Sequence, residues 1–404
     1  MEFAERVKFM KASEIRELLK VTEKKDIISF GGGMPGTDSF PVSEIRKIIK
    51  KILNERWESA LQYGTTEGFI ELRKELTKMM RKIGIRCGIN EIIITTGSQQ
   101  ALDLIGKIFI NPGDIIAVEL PTYIGAICAF NSYQPRYLGV PMDDEGILTE
   151  YLEKKIKEEK AKGRKIKFIY TIPNFQNPTG ITMSHERRKH LLEISYENEI
   201  PIIEDDAYRF LYYSKKPLYP IKSMDKLGLV TYTSTFSKIL SPALRLGWVV
   251  GREDIIDKIV LAKQGADLCS NAFSQQIAYE YIRSGAIEKQ VEKIRRIYKR
   301  KRDLMIDSIK KYFPEGTNYT IPEGGLFVWV ELPKNLRINT SEIFERAIKE
   351  KVAFVHGSAF FVERKNNRTM RLNFSNMSEE KIIEGIRRLA LVIREVKNNF
   401  NSKD

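Results

Sequence analysis

Short apolar segments alternate with amphipathic segments from about residue 43 to residue 250, and this alternation constrains the fold more than any other feature. Uninterrupted apolar runs of this kind are typical of strands that are buried on both faces of a sheet. Strands that alternate with helices form βαβ units and a mostly parallel sheet flanked by helices, so the predicted fold class is α/β. The predicted strands are residues 91–96, 114–119, 167–172, 201–206, 229–234 and 246–251.

The last third of the chain has fewer strands, separated by helices, and this mixture predicts a smaller α+β domain. Its predicted elements are helices over residues 285–313, 341–351 and 379–396, and strands over residues 326–332, 352–356 and 370–374. A short helix over residues 11–20, with Ser13 as N-cap, precedes the large sheet. We therefore expect an N-terminal arm (1–42) that packs with the small domain, a large domain (43–290) and a C-terminal small domain (291–404).

Length and composition exclude several classes of protein. The chain has 404 residues, of which 42% are hydrophobic, so it can bury a sizeable core. It has no run of about 18 apolar residues and no apolar signal core, so we expect a cytoplasmic protein that does not bind a membrane. Three cysteines at no metal-ligand spacing predict neither a disulfide framework nor a metal site.

The formal net charge of +14 is spread over helices of mixed charge. No nucleic-acid-binding motif accompanies it, so we interpret the charge as a solvated surface and expect no nucleic-acid partner. Only three histidines are present, and His185 and His190 lie in a charged helical stretch where a solvated position is expected. Acid–base chemistry would therefore depend on lysine, tyrosine or a cofactor.

Residues Gly31 to Gly36 match the spacing of a dinucleotide-binding loop, but their context does not fit one. A helix should begin directly after such a loop and hold a pyrophosphate at its N-terminus, whereas Pro35 and another loop follow here. We interpret the segment instead as a flexible loop that allows close backbone approach and can line a pocket.

Two segments suggest a site for a phosphorylated, amine-reactive group. Lys238 follows an apolar strand, has hydroxyl neighbours and precedes Arg245 by seven residues. Hydroxyl and guanidinium groups can hold a phosphate, and a desolvated lysine amine is the usual nucleophile toward a carbonyl group. Ser98 lies at a predicted strand-to-helix junction, where an N-cap leaves backbone N–H groups free for an anion, although an ordinary cap explains it equally well.

Two further segments place polar side chains at the same predicted sheet edge. Glu204, Asp205 and Asp206 end a strand that should be buried, where a carboxylate needs a cation as partner. Asn177 lies in a turn between prolines after another strand. Ligands of open α/β sheets bind at the carboxyl ends of the strands, so Asp205 and Asn177 are candidates for one site.

In this order, these segments resemble the class I aminotransferases, which are fold type I enzymes of pyridoxal 5′-phosphate. The similarity extends from about residue 13 to the last helix and is strongest to the branch with 2-aminoadipate, kynurenine and aromatic aminotransferases. The stretches that carry it are ISFGGGMP, ALQYGTTEG, TTGSQQALDLIGK, PTYIGA, PNFQNPTG, IEDDAY, TFSKILSPALRLGW, PEGGLFVWV and MRLNFS.

The resemblance implies a role for each candidate cofactor residue. Lys238 would hold the cofactor covalently and later transfer a proton, and Asp205 would pair with the protonated pyridine nitrogen. Tyr123 would stack on the ring, and Asn177 and Tyr208 would hydrogen-bond its phenolic oxygen. The residues expected to hold the phosphate are Ser98, Gln99, Thr235, Ser237 and Arg245; position 235 is serine in many relatives, and threonine keeps the hydroxyl group.

The resemblance also implies substrate contacts and an assembly. Tyr63 matches a tyrosine that reaches the phosphate of the other subunit, which predicts a homodimer with shared active sites. Arg371 matches the arginine that binds the substrate α-carboxylate, with a surface charge on a strand of the small domain as the alternative. Arg16 is a candidate for the distal carboxylate, with a solvent-facing helix position as the alternative, and Gly33 would let the arm move.

The expected activity is amino transfer between an L-amino acid and a 2-oxo acid, with glutamate and 2-oxoglutarate as one pair. The other amino acid would be 2-aminoadipate, kynurenine or an aromatic amino acid. Two alternatives remain open from the sequence. A C–S β-lyase would use the same cofactor residues for another bond, because the pocket selects the bond that breaks. A non-enzymatic regulator with an aminotransferase-like domain would bind DNA.

Overall fold

The computed structural model describes residues 2–10, 26–334, 336, 339–363 and 368–401, with side chains of the last helix described up to residue 396. The predicted helix over residues 11–20, its N-cap Ser13 and the candidate Arg16 lie outside the described residues. Among the described helices, none is long and apolar enough to cross a membrane.

An eight-stranded sheet forms the centre of the large part of the molecule, with the strand order β2-β9-β8-β7-β6-β3-β4-β5. Strands β3, β4, β6, β7 and β8 run parallel, while β9 is antiparallel to both β2 and β8, and β5 is antiparallel to β4. The strands are β2 (Ile92–Thr95), β3 (Ile115–Leu120), β4 (Arg136–Asp143), β5 (Gly146–Ile147), β6 (Ile166–Thr171), β7 (Ile202–Asp205), β8 (Val230–Thr235) and β9 (Gly247–Val250).

Successive side chains of the central strands enter two different hydrophobic clusters, as expected for a sheet covered on both faces. In β3, Ile116 and Val118 belong to one cluster, whereas Ile115 and Ala117 belong to the other. The helices around this sheet are α1 (Val42–Glu55), α2 (Trp57–Leu61), α3 (Ile70–Lys82), α4 (Ser98–Phe109), α5 (Ile124–Asn131), α6 (Thr149–Ala161), α7 (His185–Asn198), α8 (Glu253–Gln264) and α9 (Ala272–Arg283).

All six strands predicted for this region are present within two residues of the expected bounds, but β4 and β5 were not predicted. The β4 segment contains Gly139 and Pro141, and most of its side chains are only half-buried. It therefore lacks the continuous apolar run that marks a central strand. Strand β5 has only two residues, which is too short for any periodicity.

The C-terminal part contains a four-stranded antiparallel sheet of order β10-β11-β14-β13. Its strands are β10 (Asn318–Tyr319), β11 (Phe327–Glu331), β13 (Val355–His356) and β14 (Thr369–Asn373), and its helices are α10 (Ala286–Tyr312), α11 (Thr340–Lys349) and α12 (Glu379–Asn401). The predicted strand over 352–356 is two short strands, β12 (Val352–Ala353) and β13, which belong to different sheets.

The N-terminal segment pairs with the C-terminal part of the chain. Strand β1 (Ile28–Ser29) runs parallel to β12, with Ile28 opposite Val352. The Phe30 carbonyl also accepts a hydrogen bond from the Asn373 N–H at 2.8 Å, next to the small sheet. The predicted domain limits at residues 42 and 290 stay a prediction, and the second of them lies inside α10.

Candidate active site

The carboxyl ends of β6, β7 and β8 form the edge at which the predicted site residues meet. Asp205 is the last residue of β7, and Lys238 ends a single 3₁₀ turn, Phe236–Lys238, that follows β8 directly. These two strands are parallel neighbours, with Asp205 opposite Thr233. The structure therefore brings the two central candidates to one sheet edge, as the sequence predicts.

Asp205 is a buried carboxyl group that is only partly satisfied by the protein. Its Oδ2 accepts a hydrogen bond from the Tyr170 hydroxyl at 2.9 Å, while its Oδ1 is buried without a hydrogen-bond partner. Burial raises the pKa of Asp205 to about 7, although the Tyr170 hydrogen bond and the charge of Lys238 act in the opposite direction. A buried oxygen of this kind calls for a donor or a cation from outside the chain.

Tyr170 was not among the predicted site residues. It lies on β6, the neighbour of β7, and is fully buried. The order of strands in the sheet is not readable from sequence, so the pairing of these two residues was not predictable. The signal in the sequence was a hydroxyl-bearing side chain near the carboxyl end of a mostly apolar strand.

The Lys238 amino group lies at the same edge and donates a hydrogen bond to the Gly33 carbonyl at 2.8 Å. Burial and the nearby guanidinium groups of Arg371 and Arg245 lower the pKa of Lys238 to about 8, against the opposing charge of Asp205. A lower pKa increases the fraction of neutral amine near neutral pH, and the neutral amine is the nucleophile. Gly33 thus contacts the lysine through its backbone.

Asn177 connects the large sheet to the small one. Its amide nitrogen donates to the Tyr208 hydroxyl at 3.2 Å, and its Oδ1 accepts from Arg371 Nη1 at 2.8 Å. All three side chains are buried. Arg371 lies on β14, so this chain of hydrogen bonds brings a residue of the C-terminal sheet to the edge that holds Asp205 and Lys238.

Arg371 is a fully buried guanidinium group rather than a surface charge. It also donates to the Gly31 carbonyl at 2.5 Å and lies over the ring of Phe327 at 4.2 Å from the ring centroid. Its Nε has no hydrogen-bond partner, and no described carboxylate lies within ion-pair distance. Burial lowers the pKa of Arg371 to about 10. An unpaired buried guanidinium is suited to an anionic ligand.

The residues predicted to hold a phosphate surround the start of α4 and the turn after β8. The Thr235 hydroxyl donates to the Ser237 hydroxyl at 3.0 Å and accepts from the Ser237 N–H at 3.1 Å. The Arg245 guanidinium is exposed and makes only long contacts to the backbone carbonyls of Pro242 and Thr96, at 3.4 and 3.5 Å. Its charge is therefore available to a ligand at this edge.

The predicted N-cap of α4 is wrong by one residue. The cap is Gly97, and Ser98 is the first helical residue. Gly97 has a φ of +79°, a backbone conformation that residues other than glycine rarely adopt. Without a capping side chain, the first N–H groups of a 12-residue helix keep their capacity to bind an anion.

Tyr123 and Gln99 lie beside this helix start. Tyr123 precedes α5 and packs on Gly125, where an added Cβ would lie 2.3 Å from the tyrosine Cζ. Burial raises the pKa of Tyr123 to about 12. Gln99 Nε2 donates to the Gly125 carbonyl at 2.8 Å, which ties the helix start to the segment that carries Tyr123.

Tyr63 does not reach this cluster within one chain, because its side chain is 79% exposed after the end of α2. The loop from Gly31 to Gly36 is followed by a three-residue 3₁₀ turn, Thr37–Ser39, and the Gly36 N–H donates to the Tyr298 hydroxyl at 2.9 Å. No long helix starts there, which agrees with the rejection of a dinucleotide-binding loop.

Comparisons with known proteins identify the family. The profile described as "Aminotransferase class I and II" matches residues 25–389. The aromatic-amino-acid aminotransferase 1 of Thermococcus litoralis is 49% identical over 394 residues, which cover 97% of this chain and 94% of that protein. The chain therefore belongs to the class I and II aminotransferase family and is an aminotransferase.

Two solved structures agree with this membership. A kynurenine aminotransferase of Pyrococcus horikoshii, in complex with PMP, matches with a TM-score of 0.93 at 49% identity over 97% of each chain. An alpha-aminoadipate aminotransferase of Thermus thermophilus, complexed with N-(5′-phosphopyridoxyl)-L-leucine, matches with a TM-score of 0.89 at 39% identity, covering 98% of this chain and 97% of that one. These findings confirm the predicted family, fold type and class of enzyme, and they support pyridoxal 5′-phosphate as the cofactor.

The described residues fit that cofactor. The unpartnered Oδ1 of Asp205 matches a protonated ring nitrogen, and the amine of Lys238 matches an aldehyde. The Gly97 turn, with Arg245 beside it, presents free N–H groups and a positive charge to a phosphate. The three features would thus contact the ring nitrogen, the aldehyde and the phosphate of pyridoxal 5′-phosphate, respectively.

Proposed function

We propose that this aminotransferase moves the amino group of an aromatic amino acid, kynurenine or 2-aminoadipate to 2-oxoglutarate. The names of the relatives support this range of amino donors. The reaction would follow a ping-pong mechanism, in which the first 2-oxo acid leaves before the second one binds. We assign the protein to cytoplasmic amino-acid metabolism, including biosynthesis.

The observation that carries the proposal is that a buried carboxyl group and a buried amine, Asp205 and Lys238, lie at one sheet edge. Asp205 keeps a buried oxygen without a partner, and the lysine amine has a pKa lowered to about 8. Pyridoxal 5′-phosphate supplies the electron-withdrawing ring that stabilises negative charge at the substrate Cα. Asp205 would pair with the protonated ring nitrogen, and Lys238 would accept and return the proton at the substrate Cα.

The remaining residues bind and orient. The α-carboxylate of the amino acid would bind to Arg371, whose guanidinium lacks a described acidic partner. Asn177 and Tyr208 would donate hydrogen bonds to the phenolic oxygen of the ring, and Tyr123 would cover one ring face. The phosphate would be held by Ser98, Gln99, Thr235, Ser237 and Arg245, and Gly33 together with Arg16 would shape the side-chain pocket.

We further propose a homodimer with shared active sites, in which Tyr63 completes the site of the other subunit. The tyrosine is exposed, and Trp57 and Leu61 on the adjacent helix α2 are exposed apolar side chains as well. Large apolar side chains that are exposed on one short segment are the kind of surface that a protein–protein contact covers.

A panel of amino donors with 2-oxoglutarate tests the proposed function, with glutamate formation as the readout. We expect turnover with one or more of 2-aminoadipate, kynurenine and the aromatic amino acids. Release of ammonia and pyruvate from cystathionine, without glutamate formation, would instead favour the β-lyase. Retardation of specific DNA at physiological salt, without turnover of any donor, would favour the regulator.

A further inference from the structure

A second buried carboxyl group, Glu119, lies near the end of β3 and has no role in the chemistry described above. It is fully buried, and no described lysine, arginine or histidine lies within ion-pair distance of it. Three donors reach it instead: the Thr171 hydroxyl and the Ile172 N–H at Oε1, the latter at 3.1 Å, and Gln176 Nε2 at Oε2, at 3.0 Å. The protein thus surrounds this group with donors alone.

Neighbouring residues of β6 hold the two buried carboxyl groups. Tyr170 donates to Asp205, and the next residue, Thr171, donates to Glu119. Successive side chains of a strand point to opposite faces, so the two carboxyl groups are held from opposite sides of one strand. Burial raises the pKa of Glu119 to about 7, and the three donors favour the charged form.

The contact with Gln176 extends from Glu119 to two loops. Gln176 Nε2 also donates to the Pro121 carbonyl at 2.8 Å, two residues before Tyr123. Its Oε1 accepts from the Thr179 N–H at 2.9 Å and from the Thr179 hydroxyl at 2.8 Å. The fully buried amide therefore fixes the segment before Tyr123 and the turn that carries its own neighbour, Asn177.

We propose that Glu119 is a positioning residue for the amino-acid and cofactor site, because its carboxyl group fixes, through Gln176, the loops that carry Tyr123 and Asn177. The inference rests on the proposed function for the roles of those two residues. Asn177 contacts both Tyr208 and Arg371. A shift of its turn would therefore change both the hydrogen bond to the ring oxygen and the position of the guanidinium group that binds the substrate carboxylate.

Glu119→Gln keeps the shape of the side chain but turns Oε2 into a donor that faces the donor Nε2 of Gln176. A flip of Gln176 does not relieve this conflict, because the flipped amide would oppose the Pro121 carbonyl and the Thr179 N–H. In the holoenzyme we expect the pH midpoint of the visible absorption band of the bound cofactor to rise by about one unit. We also expect a KM for the amino donor about tenfold higher.

Glu204→Gln is the matched control. Glu204 is also fully buried, on the next strand but one, and accepts hydrogen bonds only from the backbone N–H groups of Ile221 and Lys222, at 2.9 and 2.8 Å. We expect this variant to lower the thermal unfolding midpoint while the midpoint of the absorption band and the KM stay at the wild-type values.

Gln176→Met provides a second variant, because it removes the connection to the loops but leaves Thr171 and Ile172 on Glu119. We expect it to shift the absorption midpoint and the KM in the same direction as Glu119→Gln. If folded Glu119→Gln or Gln176→Met only loses thermal stability, as the control does, the positioning role is wrong. If the wild-type protein shows no cofactor band at all, the proposed function fails instead.

Discussion

Replacing Asp205 by asparagine in the cofactor-free protein should increase its stability above neutral pH. Burial raises the pKa of Asp205 from 3.8 to about 7, so the folded protein binds more protons than the unfolded chain between these pH values. Stability is therefore lost as the pH rises through this window. A shift of about three units corresponds to about 4 kcal/mol, at about 1.4 kcal/mol per unit.

Asparagine has no proton to lose, and its side-chain oxygen can still accept the hydrogen bond from Tyr170. We expect the variant to exceed the wild type by up to about 4 kcal/mol in the free energy of unfolding at pH 8, and to match it near pH 4. Guanidinium unfolding at both pH values, with cofactor removed from both proteins, measures this difference.

Addition of pyridoxal 5′-phosphate should stabilise the wild-type protein more than the Asp205→Asn variant. A protonated ring nitrogen supplies the cation that Asp205 lacks, whereas asparagine gains no such partner, so the thermal unfolding midpoint should rise more in the wild type. If both proteins show the same pH dependence, or if asparagine destabilises the cofactor-free protein at pH 8, the assignment of Asp205 as an unpaired buried carboxylate is wrong.

Three further changes test other parts of the site. Tyr170→Phe removes a hydrogen bond that lowers the Asp205 pKa, so in the cofactor-free protein the loss of stability with rising pH should still start near the unfolded-state pKa but should end at a higher pH than in the wild type, and an unchanged end point would contradict this contact. Arg371→Lys should raise the KM for amino donors about tenfold or more, because a lysine cannot bind a carboxylate through two hydrogen bonds; steady-state kinetics with an unchanged KM would place the carboxylate elsewhere. Lys238→Ala and Tyr63→Ala subunits, each weakly active alone, should regain activity when mixed and reassociated, since one site of the mixed dimer is intact; no gain on mixing would argue against shared sites.

The sequence predicts the central sheet well, because its strands are buried on both faces and most of them are therefore rich in apolar residues. It does not predict β4, because Gly139 and Pro141 interrupt the run of apolar residues there and most side chains of this strand are only half-buried. The sequence predicts Ser98 as the cap of α4 because serine is a common N-cap, whereas the cap position has a positive φ that favours the glycine before it.

The contacts between distant segments were beyond prediction from the residues alone. The hydrogen bond from Arg371 to Asn177 joins residues 194 positions apart, and the bond from Tyr170 to Asp205 depends on which strands are neighbours. The resemblance to a family identifies site residues by motif, and Gln176 lies in the stretch PNFQNPTG, but no motif indicates that Gln176, Thr171 and Ile172 donate hydrogen bonds to Glu119. These hydrogen bonds become apparent only in the structure, where β3 and β6 are neighbouring strands.

The identity of the lysine that bonds to the cofactor is tested most directly by borohydride reduction of the holoenzyme followed by peptide mapping. Lys238 should carry the pyridoxyl label in the wild type, and Lys238→Ala should carry none while still binding the cofactor through its phosphate. A label on another lysine of the wild-type protein, or no label at all, would contradict the assignment of the active site to the edge formed by β7 and β8.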